Sequence, residues 1–134
     1  MLTSKLHFAQ YLSAGNSKTL PHVLTELATN PQVCIRRRVA ENTATPLNVL
    51  GILLNDKHPD VRQSLSANPS VPHFFLEQLA LDESSDVRYA LAENATVSID
   101  ILRALSLDEN PYVAHRATKT LTRLSKPLTF AMAK

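Results

Sequence analysis

Asn16, Asn42, Asn68 and Asn94 stand 26 residues apart, and Leu24, Leu50, Leu76 and Leu102 keep the same step, as do Leu27, Leu53, Leu79 and Leu105. An interval that does not slip over four copies constrains this chain more than any other feature. It describes one supersecondary unit, duplicated and stacked, with residues 16–41, 42–67, 68–93 and 94–119 as the copies. A lone unit of this size buries about five apolar side chains at roughly 1.5–3 kcal/mol each, against about 1–2 kcal/mol of entropy for every ordered backbone residue. It cannot fold alone, whereas four in contact can.

Each copy reads as two helices. Thr45 is placed to cap the first, with Pro46 at its opening position, where no intrahelical N–H bond is due. Val49, Leu50, Leu53 and Leu54 then follow at helical spacing and form an inward stripe, repeated at Val23, Leu24, Leu27 and Ala28, at Phe75, Leu76, Leu79 and Ala80, and at Ile101, Leu102, Leu105 and Ser106. In the second helix Asp60 and Asp86 read as N-caps, with Cys34 in the same place. Val61 and Leu65, with Val87 and Leu91, Ile35 and Val39, and Val113 and Ala117, face inward, and Ala40, Ser66, Ala92 and Thr118 keep the next position small. The asparagine row is expected to turn the chain in the left-handed conformation.

The ends differ from the copies. Residues 4–14 read as a capping helix with Leu6, Ala9 and Leu12 inward, closed by Gly15 and Asn16. In the last copy Ser98 replaces the proline and Ala114 the arginine, and the second helix runs on through Leu121 and Leu124 until Lys126-Pro127 ends it. The expected fold is all-α: a solenoid of four 26-residue, two-helix repeats filling one domain, 1–126, with caps at 1–15 and 120–126 and a tail at 127–134.

Composition agrees with tightly stacked helices: 44% of the 134 residues are apolar, aromatics make up 5%, and Trp is absent. Two glycines argue against strand-and-turn folds and phosphate-cradling loops. One cysteine excludes an internal disulfide and any multi-cysteine metal site built from this chain alone. His7, Gln10 and Tyr11 break the apolar run that a signal peptide needs, and no later window suits a membrane, so a cytoplasmic protein with no membrane partner is expected.

Written as a consensus, the unit is V-R-x-x-L-A-x-N-x-x-x-P-x-x-x-L-x-x-L-x-x-D, carried by Val61-Arg62, Leu65, Asn68, Pro72, Leu76, Leu79 and Asp82 running into Val87-Arg88. It resembles the leucine-rich repeat variant family, a relative of HEAT-type helical repeats, over about residues 16–119. The resemblance implies a right-handed superhelix of alternating α and short, often 3₁₀, helices. An iron–sulfur cluster found in some relatives does not carry over, since Cys34 stands alone, and the resemblance brings no activity with it.

Six residues separate Asp56 from Arg62, Asp82 from Arg88 and Asn30 from Arg36. These match the Asp and Arg rows of HEAT-type repeats and read, with Asn42, Asn68 and Asn94, as a structural ladder, since the planar fork of arginine reaches a carboxylate and carbonyls together. Specificity is expected elsewhere, on the second helices, where Arg37, Gln63, Tyr89 and His115 share one outward column flanked by Arg38 and Arg116. Side chains that vary on a repeating frame are the natural carriers of partner recognition. Phe74 and Ile52 are apolar where their siblings are polar, a candidate small contact patch set against ordinary exposed hydrophobics.

Residues 1–40 carry a net charge of +4, residues 41–110 −7 and residues 111–134 +5. A polyanion laid along the stack would meet repulsion halfway. The leading reading is therefore a protein-binding adaptor without cofactor. A nucleic-acid contact through Arg36, Arg37 and Arg38 and the basic C-terminal segment is the alternative. His22, His58, His73 and His115 show no metal-ligand spacing, and no Ser-His-Asp set, nucleophile elbow or Walker loop is present, so enzymatic activity is not expected.

Overall fold

A computed structural model of the protein describes residues 2–132, with side chains described for residues 3–125. Among these residues the chain is all-α: α1 (Leu2–Gly15), α2 (Pro21–Leu27), α3 (Val33–Glu41), α4 (Leu47–Leu54), α5 (Pro59–Leu65), α6 (His73–Leu79), α7 (Ser85–Glu93), α8 (Ile99–Leu105) and α9 (Pro111–Met132). Most of these helices span seven to nine residues, too short to hold in water without tertiary packing. The chain divides into two compact units, Met1–Phe75 and Leu76–Lys134.

In the first unit α3 packs against both α1 and α5, while α2 lies on α1 and α3, and α4 on α3 and α5. Leu24, Leu27, Ile35, Val39, Val49, Leu50, Leu53, Leu54, Val61 and Leu65 are buried there. In the second unit α7 and α8 pack on α9 and on each other around Val87, Leu91, Ile101, Leu102, Leu105, Val113 and Ala117.

The asparagine row works differently from expectation. No described residue has positive φ; Asn42 sits at φ −74°, ψ 120° and Asn94 at φ −85°, ψ 109°, both extended. What the position uses is the side-chain amide. Asn42 Oδ1 accepts the N–H of Ala44 at 2.9 Å, while Nδ2 donates to the carbonyls of Ala14 (2.8 Å) and Asn16 (2.9 Å). Asn68 does the same 26 residues on, accepting the N–H of Ser70 and donating to the carbonyls of Ala40 (2.8 Å) and Asn42 (3.1 Å). One amide thus shapes its own turn and ties it to helix ends 26 and 28 residues earlier. Thr120 stands next in the row and donates to the Ala92 carbonyl, again 28 residues back, at 2.6 Å. A hydroxyl suffices there because α9 is continuous and no turn has to be made.

Caps fall one or two residues from their expected places. Pro46 is the N-cap of α4, and the Thr45 hydroxyl donates instead to the Val39 carbonyl at 2.7 Å, as Thr19 does to Ser13 at 2.6 Å. Asp60, Asp86 and Cys34 occupy the second position of α5, α7 and α3, whose N-caps are His58, Ser84 and Gln32. The cause is the residue two before each cap: Asp56, Asp82 and Asn30 accept the N–H of His58, Ser84 and Gln32 at 2.9 Å, which turns the chain into the helix early. The Asp60 and Asp86 carboxylates then act on the first-turn dipole.

At the N-terminus, Leu6 and Leu12 face out (57% and 51% exposed) and Ala9 is exposed too, contrary to the expected packing. The inward face holds Gln10, Tyr11 and buried Ala14. Polar partners decide this: Asn30 Nδ2 donates to Gln10 Oε1 at 3.3 Å, and the Arg38 guanidinium lies 4.7 Å from the centre of the Tyr11 ring. Gly15 is the last residue of α1, and a Cβ there would run into that guanidinium.

At the other end, α9 does not stop at Lys126-Pro127 but continues to Met132, so no boundary separates a cap at 120–126 from a tail at 127. A proline removes one N–H rung and crowds one carbonyl, and the rungs on either side still form. Residues 133–134 of the expected tail lie outside the described residues. Thr118, expected at a small inward position, is exposed on α9 and bonds back to the Ala114 carbonyl.

Candidate functional site

The arginine row, Arg36, Arg62 and Arg88, is buried. Arg36 Nε and Nη2 hold Asp56 Oδ2 (2.8 Å) and Oδ1 (3.2 Å), while Nη1 donates to the carbonyls of Asn30 (2.9 Å) and Pro31 (3.2 Å). Arg88 repeats the arrangement with Asp108 at 2.8 and 3.2 Å and with the Asp82 carbonyl at 2.6 Å. Arg62 Nη1 donates to the Asp56 carbonyl at 2.8 Å. Each arginine therefore closes the loop six residues before it, and Arg36 and Arg88 also clamp a carboxylate 20 residues after them.

Burial pushes the Asp56 and Asp108 carboxyls up, but their arginines, together with the N–H groups of His58 and Asn110, hold both below the usual carboxylate value. The bond to Asp108 raises Arg88 further against its own burial. Asp108 and Arg36 belong to the same ladder as Asp56, Arg62, Asp82 and Arg88. A further step of 26 from Asp82 identifies Asp108 in the sequence.

Arg36 is a correction to the alternative nucleic-acid reading. It is 6% exposed, with its fork filled by Asp56 and two carbonyls, and a phosphate cannot reach it. Arg37 and Arg38 do reach the surface, but Glu41 lies 4.0 Å from Arg37 and 3.8 Å from Arg38, and Arg38 is also engaged on Tyr11. Its Nε is buried without a hydrogen bond, as is that of Arg116.

In the first unit the outward column places Arg37, nearly half-exposed, on α3, and Gln63, half-buried, on α5. In the second it places Tyr89, half-buried, on α7, and His115, exposed, on α9, with Arg116 half-buried beside it. Phe74 and Ile52 are exposed as expected, Phe74 meeting Phe75 edge-on at 4.7 Å between ring centres.

Tyr89 does more than face outward. With Ser85 and Asp86 of α7, and Asn110, Tyr112 and Val113 at the start of α9, it lines an open cleft of about 310 Å³. Tyr112 is 77% exposed at the cleft edge and stands in the column of Cys34, Asp60 and Asp86, where no sibling is aromatic. Its partnership with Tyr89 was hidden in the sequence, because the two stand in different columns of the 26-residue spacing. Among the described residues no three His, Cys, Asp or Glu side chains gather to hold a metal ion, and no helix is long and apolar enough to cross a membrane.

Comparison of the chain with protein-family models, with curated proteins and with solved structures finds no match in any of the three.

Proposed function

We propose that this chain is a HEAT-like α-solenoid of the leucine-rich repeat variant kind, a right-handed superhelix, working in the cytoplasm as a non-enzymatic adaptor that captures a protein partner on its second helices. One observation carries the reading. Columns that repeat at 26 residues are buried or hydrogen-bonded inside each unit, whereas the column that changes identity, Arg37, Gln63, Tyr89 and His115, reaches solvent. A frame that does not use these side chains leaves them free for recognition, and solenoids as a class present such faces to partners.

The internal pairing of Arg36 with Asp56, and of Arg38 with Glu41 and the Tyr11 ring, weighs against a phosphate-binding role for these two. Alanine at Arg37, Tyr89 and His115 is expected to weaken capture of specific proteins from native extract at unchanged melting temperature. Equal capture by the triple variant overturns the reading. A gel shift with single- and double-stranded DNA, lost steeply between low and physiological salt, would favour the nucleic-acid alternative instead.

A further inference from the structure

The cleft of the second unit has a chemistry of its own. Two phenol rings, Tyr89 and Tyr112, and the exposed Asp86 carboxylate border about 310 Å³ of open space, enough for one long side chain and too little for a folded element. Neither ring belongs to the repeating frame: Tyr89 stands in a column with Arg37, Gln63 and His115, and Tyr112 in one with Cys34, Asp60 and Asp86.

The start of α9 is closed to anions. Asn110 Oδ1 accepts the N–H groups of Tyr112 (2.9 Å) and Val113 (3.3 Å), its backbone carbonyl accepts that of Ala114 (3.0 Å), and Pro111 has none to give. Asp86 already faces the first turn of α7, and Glu83 and Glu109 stand in the loops that lead into the two helices. Electron-rich ring faces beside carboxylates attract a cation, and a planar guanidinium stacks on such faces better than a compact ammonium. The protein already contains this grouping in its first unit, where the Arg38 guanidinium lies over Tyr11 with Glu41 at 3.8 Å.

We propose that the Tyr89–Tyr112 cleft seats an arginine side chain from an extended basic segment of a protein partner, with Asp86 meeting the guanidinium edge. This rests on the adaptor reading and gives it a ligand chemistry. The Asp86 carboxylate in the cleft lining and the capped helix start oppose a nucleic-acid backbone at the same place.

The test titrates the full, ¹⁵N-labelled chain with the capped tripeptide Gly-Arg-Gly and with its citrulline counterpart, which keeps the shape and removes the charge. Amide shifts confined to Ser85, Asp86, Tyr89, Asn110, Tyr112 and Val113 are expected with the arginine peptide, and at least about five-fold weaker binding with citrulline, with Tyr112→Ala and with Asp86→Asn. Both substituted side chains are exposed, so the fold is expected to survive, and equal melting temperatures check it. Cleft amides that do not move, citrulline binding within two-fold of arginine, or a thymidine dinucleotide shifting the same amides more strongly would each overturn the inference. The adaptor reading fails separately, through unchanged partner capture by Arg37→Ala with His115→Ala.

Discussion

Asn68→Asp isolates the amide that ties one turn to the next. Asn68 is 5% exposed; its Oδ1 accepts from the N–H of Ser70 at 2.9 Å, and its Nδ2 donates to Ala40 at 2.8 Å and Asn42 at 3.1 Å. The substitution keeps the acceptor and the shape but puts a second oxygen where two carbonyls expect a donor. Two lost hydrogen bonds cost about 0.5–1.5 kcal/mol each, and the uncompensated buried charge raises the total to about 3–5 kcal/mol at pH 7. The introduced carboxyl is pushed above its ordinary value, because its charged form faces carbonyl oxygens and its protonated form restores one donor. The folded value exceeds the unfolded one, so the variant recovers towards wild type below about pH 4 and loses stability as pH rises through the folded value. Urea unfolding of both proteins at pH 4.5, 5.5 and 7 reads this directly. A difference under about 1 kcal/mol at pH 7, or one that does not change with pH, refutes the reasoning.

Three further outcomes follow from the same geometry. Asp56 and Asp108 are held below their ordinary carboxylate value, so their contribution is complete above the unfolded value near 3.8 and is lost as pH falls through the folded one; Asp108→Asn should flatten that acid limb and cost about 3–5 kcal/mol at pH 7 by leaving the buried Arg88 charge without its counter-charge, as acid and urea titrations can show. Leu50→Ala, at a position 1% exposed among Val49, Leu53 and Leu54, should cost about 2–5 kcal/mol in urea unfolding. Cys34, exposed on α3, should react fully with an aromatic disulfide reagent in the folded protein, at a rate that added sub-denaturing urea does not raise.

Where sequence and structure agree, four copies stood in for an alignment. Val49, Leu50, Leu53 and Leu54 could be assigned inward because Leu24, Leu27, Leu79, Leu102 and Leu105 repeat the pattern, and all of these are buried. Where one copy stood alone, the reading failed. Residues of α1 have no siblings, and their apolar spacing pointed to Leu6, Ala9 and Leu12; the contacts that orient the helix are polar and cation–π, from Asn30 and Arg38, and periodicity does not register them. The asparagine conformation was ambiguous for another reason, since Asn both tolerates positive φ and carries an amide, and either property explains a repeated Asn at a turn. Asp108 and Thr120 were reachable by extending rows by 26, although Thr120 changes residue type while keeping the bond to Ala92. The cleft was not reachable, because Tyr89 and Tyr112 come together through the packing of α7 on α9.

Making the outward column uniform tests most directly whether the frame is separable from the side chains proposed to recognise a partner. With Arg37, Tyr89 and His115 all replaced by glutamine, the residue already present at Gln63, every repeating row is untouched. Affinity capture from native extract with quantitative mass spectrometry, alongside a thermal melt, is predicted to show the melting temperature held within about 2 °C and the specifically enriched proteins gone. An unchanged set of captured proteins, or a protein that no longer folds, contradicts the account.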